Sequence, residues 1–365
     1  MLIKAAVTHC KGKNFKIEDV ELALPKQNEV LVKIIATGVC HTDAVARDQI
    51  IPIPLPAVLG HEGAGIVEEI GSAVTSVKPG DHVVLSFSSC GSCENCLDAM
   101  PYVCRHFNDI NFGGVMNDGT TRSKQGDEVL YTFFAQSSFA TYSIVNERSV
   151  VKVDKDVDIA LLGPLGCGIQ TGAGTVLNRL KPEFSSSIAI FGCGTVGLSA
   201  IMGSKIAGCH KIIAVGGTPS RLSLAKELGA THIVNRREVP DVVEEIKKIT
   251  NGGVNYAVET TAVPSIVNQS LYSLRCHGTV AIVGATGDVT INIQNALMSE
   301  GKSMVGVIEG DSVPQLFIPK LVQYYKEGKF PIDKLVKFYE LKDINQAFED
   351  SHKSITIKPI IIMPH

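Results

Sequence analysis

Four cysteines in one short stretch, Cys90, Cys93, Cys96 and Cys104, stand at the spacing C-x2-C-x2-C-x7-C. Thiolates that close in sequence can surround one tetrahedral zinc without help from the rest of the chain. A second set is spread out: Cys40, the pair His61-Glu62, and Cys167. Two cysteines and one histidine leave a fourth zinc position open, which a metal needs if it is to touch a substrate. Each of these residues taken singly also reads as structural, since a buried cysteine is often just a small hydrophobe. Together the closed set and the open set predict two zinc ions per chain, one for architecture and one for chemistry. An iron–sulfur site suits the closed set less well. Bacterial ferredoxin spacing begins in the same way but continues with three residues and then Cys-Pro. Here the last gap is seven residues and Cys104 is followed by Arg105.

A third constellation is Gly192-Cys193-Gly194-Thr195-Val196-Gly197, a match to G-x-G-x-x-G. It follows the apolar run Ile188-Ala189-Ile190-Phe191 and opens a helical stretch that reaches Ala207. In that context the glycines permit a tight turn and let a pyrophosphate approach backbone N–H groups at a helix N-terminus. An NAD site carries an Asp or Glu about 20 residues further on, bonded to the ribose 2′-hydroxyl. No acidic residue occurs here between Gly192 and Glu227. The corresponding strand ends in Gly216, Gly217, Thr218, Pro219, Ser220 and Arg221. A carboxylate would repel a 2′-phosphate, whereas glycines, hydroxyls and an arginine fork accommodate one. The expected cofactor is NADP(H), with NAD(H) as the alternative if Arg221 only covers the adenine.

Different elements must position these groups. Up to about residue 168 the chain is a series of short Val/Ile runs broken by Gly, Pro and Asp, which predicts a β-barrel-like domain. Beyond about 187 apolar strands alternate with helical segments: Ile212–Val215, Arg221–Leu228, His232–Val234, Tyr256–Val258 and Val280–Val283. That alternation predicts a parallel doubly wound sheet. The last stretch, Lys358-Pro359-Ile360-Ile361-Ile362, reads as a strand that returns to the first domain after an amphipathic helix. The expected division is 1–168 with 309–365 for catalysis, including a structural zinc lobe at about 86–108, and 169–308 for the cofactor.

Composition narrows the class of protein. The chain has 365 residues, 45% of them hydrophobic and 19% charged, which suits two packed domains. A net charge of −3 speaks against a general affinity for nucleic acid or anionic membrane. No apolar run approaches the ~20 residues that span a bilayer. The opening Met1-Leu2-Ile3-Lys4-Ala5-Ala6-Val7 reads as a strand rather than a signal peptide. Of the ten cysteines, those at metal spacing point to zinc thiolates in a reducing cytoplasm rather than to disulfides. Cys10, Cys193, Cys209 and Cys276 read as packing residues.

Taken in order, the segment Gly60-His61-Glu62, the cysteine lobe, Gly80-Asp81-His82 and the glycine turn resemble the zinc-dependent medium-chain alcohol dehydrogenases. Several segments are closer to the aryl-alcohol (benzyl alcohol) branch: Cys40-His41-Thr42-Asp43, Phe133 to Tyr142, Leu162 to Gly172 and Ile355 to Ile361. The resemblance covers essentially the whole chain. It implies an α/β protein with a GroES-like β-barrel catalytic domain and a Rossmann cofactor domain. It implies Cys40, His61 and Cys167 as ligands of a catalytic zinc, with Glu62 as an alternate or nearby carboxylate. Asp43 then orients His61, Thr42 accepts the alcohol proton, and His41 contacts the cofactor phosphate. Many members place a histidine where this chain has Val45, which cannot carry a proton. The reaction expected is hydride transfer between NADP(H) and a small primary alcohol or aldehyde, aromatic or allylic, in a cytoplasmic homodimer or homotetramer. Rival readings are an NAD-dependent aryl-alcohol enzyme, a polyol dehydrogenase, a zinc-free quinone reductase or crystallin-like protein, and a zinc-ribbon nucleic-acid binder. The ligand set disfavours the polyol enzyme and the zinc-free readings. The charge disfavours the nucleic-acid binder.

Overall fold

The computed structural model describes residues Met1–His365, which divide into two compact units. One comprises Met1–Cys167 and Val313–His365, the other Gly168–Ser312.

In the first unit the short Val/Ile runs become mostly antiparallel strands, with Ala57–Val58 parallel to Glu128–Thr132 and Val336–Glu340 parallel to Lys358–Ile362. Five of them close a barrel, in the order Leu2–Thr8, Lys16–Leu22, Ser123–Gln125, Glu128–Thr132 and Ala57–Val58. A seven-stranded sheet is built around Glu29–Gly38. That strand reads as an almost continuous apolar run because it is buried along most of its length. It pairs with Gly63–Ile70 on one side and, towards its two ends, with Tyr142–Asn146 and Lys358–Ile362. The closing strand returns to the first unit, with Ile361 opposite Thr37. Fully buried Phe133, Phe139, Ile34, Leu59, Leu85 and Leu130 anchor the core that holds these strands together.

The second unit is a six-stranded parallel sheet. In chain order its strands are Ser187–Phe191, Lys211–Gly216, His232–Asn235, Val254–Glu259, Leu274–Ile282 and Ser303–Gly306. Across the sheet they lie third, second, first, fourth, fifth, sixth. This is a doubly wound order, whose switch point lies beside the first strand. Ile188, Ala189, Ile190 and Phe191 are fully buried, as a central strand covered on both faces requires.

Two differences from the sequence reading have plain causes. The fifth strand begins at Leu274 rather than Val280, because Leu274 already pairs with Val254 before the ladder shifts register past exposed Arg275, Cys276 and His277 and resumes at Thr279, which no hydropathy pattern marks. The sixth strand is short and half-exposed, as an edge strand can be. Of the cysteines taken as packing residues, Cys193 is buried and Cys209 half-buried, but Cys10 and Cys276 are exposed and pack nothing. No helix is long and apolar enough to cross a membrane.

Candidate active site

Strand register explains how the scattered ligand set assembles. Glu29–Gly38 and Gly63–Ile70 run antiparallel with Thr37 opposite Gly63. Cys40, just past the end of one strand, and His61-Glu62, just before the start of the other, therefore meet at one edge of the sheet. Cys167 arrives on the turn Gly163–Gly166. A Cβ on Gly163 would lie 2.3 Å from the Glu62 carbonyl oxygen, so only glycine lets this turn pack so closely. The ligand atoms of Cys40, His61, Glu62 and Cys167 all lie within 4.8 Å of one another.

His61 is fully buried and held from two directions. Its Nδ1 is 2.8 Å from Asp43 Oδ1. Asp43, itself completely buried, also accepts from the backbone N–H groups of Cys40 at 3.0 Å and Gly60 at 3.1 Å. One face of the imidazole stacks on Phe134, with ring centroids 4.5 Å apart, and Phe133 meets it edge-on at 5.5 Å. Nε2 is left without a hydrogen-bond partner although buried. A buried, unpaired imidazole nitrogen beside two thiols and a carboxylate is what a zinc ligand set requires. The residues therefore fit a catalytic zinc.

Electrostatics point the same way. Contact with Cys167 holds the Cys40 thiol well below its ordinary value, against burial and with help from Lys358 and His61. Burial acts to lower His61, but Asp43 outweighs it and holds the ring well above the usual histidine range. Burial pushes Glu62 up to about 7 against the pull of Lys358. Lys358 donates to both Glu62 carboxylate oxygens at 2.9 Å and to the Val39 carbonyl at 3.0 Å. Thr42 Oγ1 lies 3.6 Å from Cys40 Sγ, and His41 is exposed at the start of the helix His41–Arg47.

The four-cysteine lobe is equally well defined. Cys90 and Cys96 Sγ are 3.9 Å apart, as are Cys93 and Cys104 Sγ. A tetrahedron with Zn–S bonds of about 2.3 Å has S–S edges of about 3.8 Å. Burial acts upward on Cys90, but the Ser92 and Cys93 N–H groups pull it down to about 5, while burial pushes Cys104 up to about 12. Four thiols this close cannot all ionise unaided, because like charges raise one another's pKa. A dication removes that conflict, so the residues fit a structural zinc.

In the second unit Gly192–Gly197 follows the first parallel strand and leads into the helix Thr195–Ile206. A Cβ on Gly197 would fall 1.8 Å from the Gly192 carbonyl oxygen, so glycine is needed for the turn to pack on its helix. A cavity of about 170 Å³ beside the turn is lined by Gly192, Gly216, Gly217, Thr218 and Arg221, and also by Arg236. Ser220 is exposed and does not line it. Burial raises the Cys193 thiol to about 11, so beneath Gly216 it is a neutral apolar neighbour. A glycine cradle with an arginine-lined cavity fits a dinucleotide.

The residues 26–155 match the alcohol dehydrogenase GroES-like domain, and residues 195–324 match the zinc-binding dehydrogenase domain. A geraniol dehydrogenase of Castellaniella defragrans is 41% identical over 98% of this chain and 97% of its own. The chain belongs to the zinc-dependent medium-chain alcohol dehydrogenases. The structure of benzyl alcohol dehydrogenase from Acinetobacter calcoaceticus matches with a TM-score of 0.96 and 50% identity over 100% of both chains. An alcohol dehydrogenase zinc-binding domain protein from Burkholderia ambifaria reaches 0.98 at the same identity and coverage. Zinc and a nicotinamide cofactor are thus the groups this dehydrogenase family uses, and the resemblance to the benzyl alcohol branch holds.

Sequence reasoning missed several residues of this dehydrogenase. Lys358 sits in an apolar strand, where a lysine needs a partner, and that was the available signal. Buried Gln136 donates to the His61 carbonyl at 3.0 Å, and nothing local marks it. Phe134, Arg236 and Arg237 become visible only in three dimensions.

Proposed function

We propose that this dehydrogenase interconverts primary aromatic or allylic alcohols and their aldehydes with a preference for NADP(H), using two zinc sites per chain. The donor set around His61 Nε2 carries the chemical half of this reading. Zinc held there supplies a Lewis acid to an alcohol or carbonyl oxygen, and the nicotinamide on the glycine turn supplies or accepts the hydride. Cys40, His61 and Cys167 hold the metal, and Asp43 fixes the tautomer and plane of His61. Glu62 is tied to Lys358 and stands by as an alternate donor. Thr42, next to Cys40, accepts the alcohol proton through its hydroxyl and passes it to the cofactor ribose, and Val45 carries it no further. Exposed His41 contacts the cofactor phosphate. Cys90, Cys93, Cys96 and Cys104 hold the structural ion.

The aromatic preference draws support from the Phe112, Phe133 and Phe134 cluster packed around His61, and from relatives that act on geraniol and benzyl alcohol. The cofactor preference draws support from Gly216, where no carboxylate meets the ribose, and from Arg221 lining the cavity beside it. Gly194, Thr195, Val196 and Gly197 cradle the pyrophosphate, and Thr218, which lines the cavity, flanks the ribose. We further propose a cytoplasmic homo-oligomer, dimeric or tetrameric.

Initial rates of benzaldehyde reduction by the zinc-loaded protein test the whole reading. A kcat/KM at least about tenfold higher with NADPH than with NADH is expected, roughly one charge-assisted contact. Equal rates overturn the cofactor preference, and no rate with either cofactor overturns the aromatic substrate class.

A further inference from the structure

Two arginines beside Gly216 come from a different element than Arg221, which lies on the helix Pro219–Leu228, and one of them, Arg236, lines the cavity there. Arg236 and Arg237 follow the third parallel strand, His232–Asn235. In the ladder Asn235 lies opposite Gly216, and the Arg236 N–H donates to the Gly216 carbonyl at 2.8 Å. The backbone of this pair is thereby fixed to the end of the second strand. The Arg237 N–H is held in turn by Asn235 Oδ1 at 3.1 Å.

Both side chains bend over the same spot. A Cβ built on Gly217 would lie 3.1 Å from the Nε atoms of both Arg236 and Arg237. Arg236 lines the cavity together with Arg221, Gly216 and Thr218. Neither Arg236 nor Arg237 pairs with a carboxylate. Glu238, the nearest acid in sequence, is instead bonded to Asn235 Nδ2 at 2.6 Å. Cationic forks without a counter-ion, gathered over a glycine, form a site for a dianion.

We propose that Arg236 and Arg237 bind the 2′-phosphate of the adenosine ribose across Gly217, opposite Arg221, and set the cofactor specificity. This rests on the NADP reading above. The absent carboxylate at Gly216 merely tolerates a phosphate. The arginine pair selects it, with bidentate N–H groups that a 2′-hydroxyl cannot engage as strongly.

Calorimetric titration of the full-length zinc-loaded protein tests the proposal, with adenosine 2′,5′-bisphosphate and adenosine 5′-monophosphate as the two probes. The wild-type protein is expected to favour the bisphosphate. The ratio of the two affinities should fall about tenfold for each arginine removed in R236A and R237A. G217D, which places a carboxylate between the two guanidinium groups, should abolish the preference by an independent route. Both arginines are exposed, so the fold does not depend on them. A wild-type ratio near one overturns the NADP reading and this proposal with it. A strong wild-type preference that survives R236A/R237A overturns this proposal alone and leaves Arg221 as the selecting group.

Discussion

The Lys358 ammonium donates to both carboxylate oxygens of Glu62 at 2.9 Å, and both side chains are almost entirely buried. The pair ties the closing strand to the residue next to His61. Burial would strip Lys358 of its proton, but Glu62 and the Cys40 thiol hold it protonated, above the ordinary lysine value.

Removing one member of a buried pair leaves the other uncompensated, which costs about 3–5 kcal/mol. Lys358→Met is therefore expected to lower the urea midpoint strongly. Lys358→Met with Glu62→Gln should recover much of the loss, because no unpaired charge remains. Urea unfolding of the zinc-loaded proteins measures this. A double variant no better than the single one would show that the pair contributes through packing and not through charge.

Asp43 accepts three hydrogen bonds while fully buried, one of them from His61. Such partners of a ligating histidine are worth about 10–100-fold in metal affinity. Asp43→Asn should weaken zinc binding by that order, as read by competition with a chromophoric chelator. The cobalt-substituted protein should also show an altered visible spectrum if the His61 ring turns. An unchanged spectrum and affinity would deny Asp43 its orienting role.

The cysteine lobe should hold its metal independently of the chemistry. Cys104→Ser should lower zinc content from about two to about one per chain, because a closed site tolerates no missing ligand. Limited proteolysis should then cut within residues 86–108, which stay intact in the wild-type protein. Elemental analysis that still finds about two zinc per chain in this variant would contradict the assignment.

Asp81 supplies the pH prediction. Burial pushes its carboxyl up, but Lys152 at 2.9 Å and the Lys78 N–H at 3.1 Å outweigh that and hold it below the usual aspartate range. A lowered native pKa means stability that is fully present above the unfolded value of about 3.9 and is lost as pH falls through the native value. Asp81→Asn should cost about 1 kcal/mol at neutral pH. Its gap to the wild type should narrow as urea midpoints are followed from about pH 5 downward. A gap independent of pH would mean that the charge of Asp81 contributes nothing.

The four-cysteine set, the glycine turn and the alternation of strands and helices could be read from the sequence because each depends on local residue type and spacing, whereas the scattered set of Cys40, His61 and Cys167 was legible only as a combination of motifs that resembles the family. Thiols two residues apart meet in almost any tight loop, so Cys90, Cys93 and Cys96 declare themselves. The apolar run Ile188–Phe191 followed by Gly192 is likewise its own signal for a central strand. Lys358, nearly 300 residues from Glu62, gave no such sign. Only strand pairing between Ile361 and Thr37 brings its ammonium to that carboxylate. Gln136, Phe134 and the pair Arg236 and Arg237 were hidden for the same reason. Their partners lie on other strands, and only register and close packing, not neighbours in the chain, determine which side chain reaches which site.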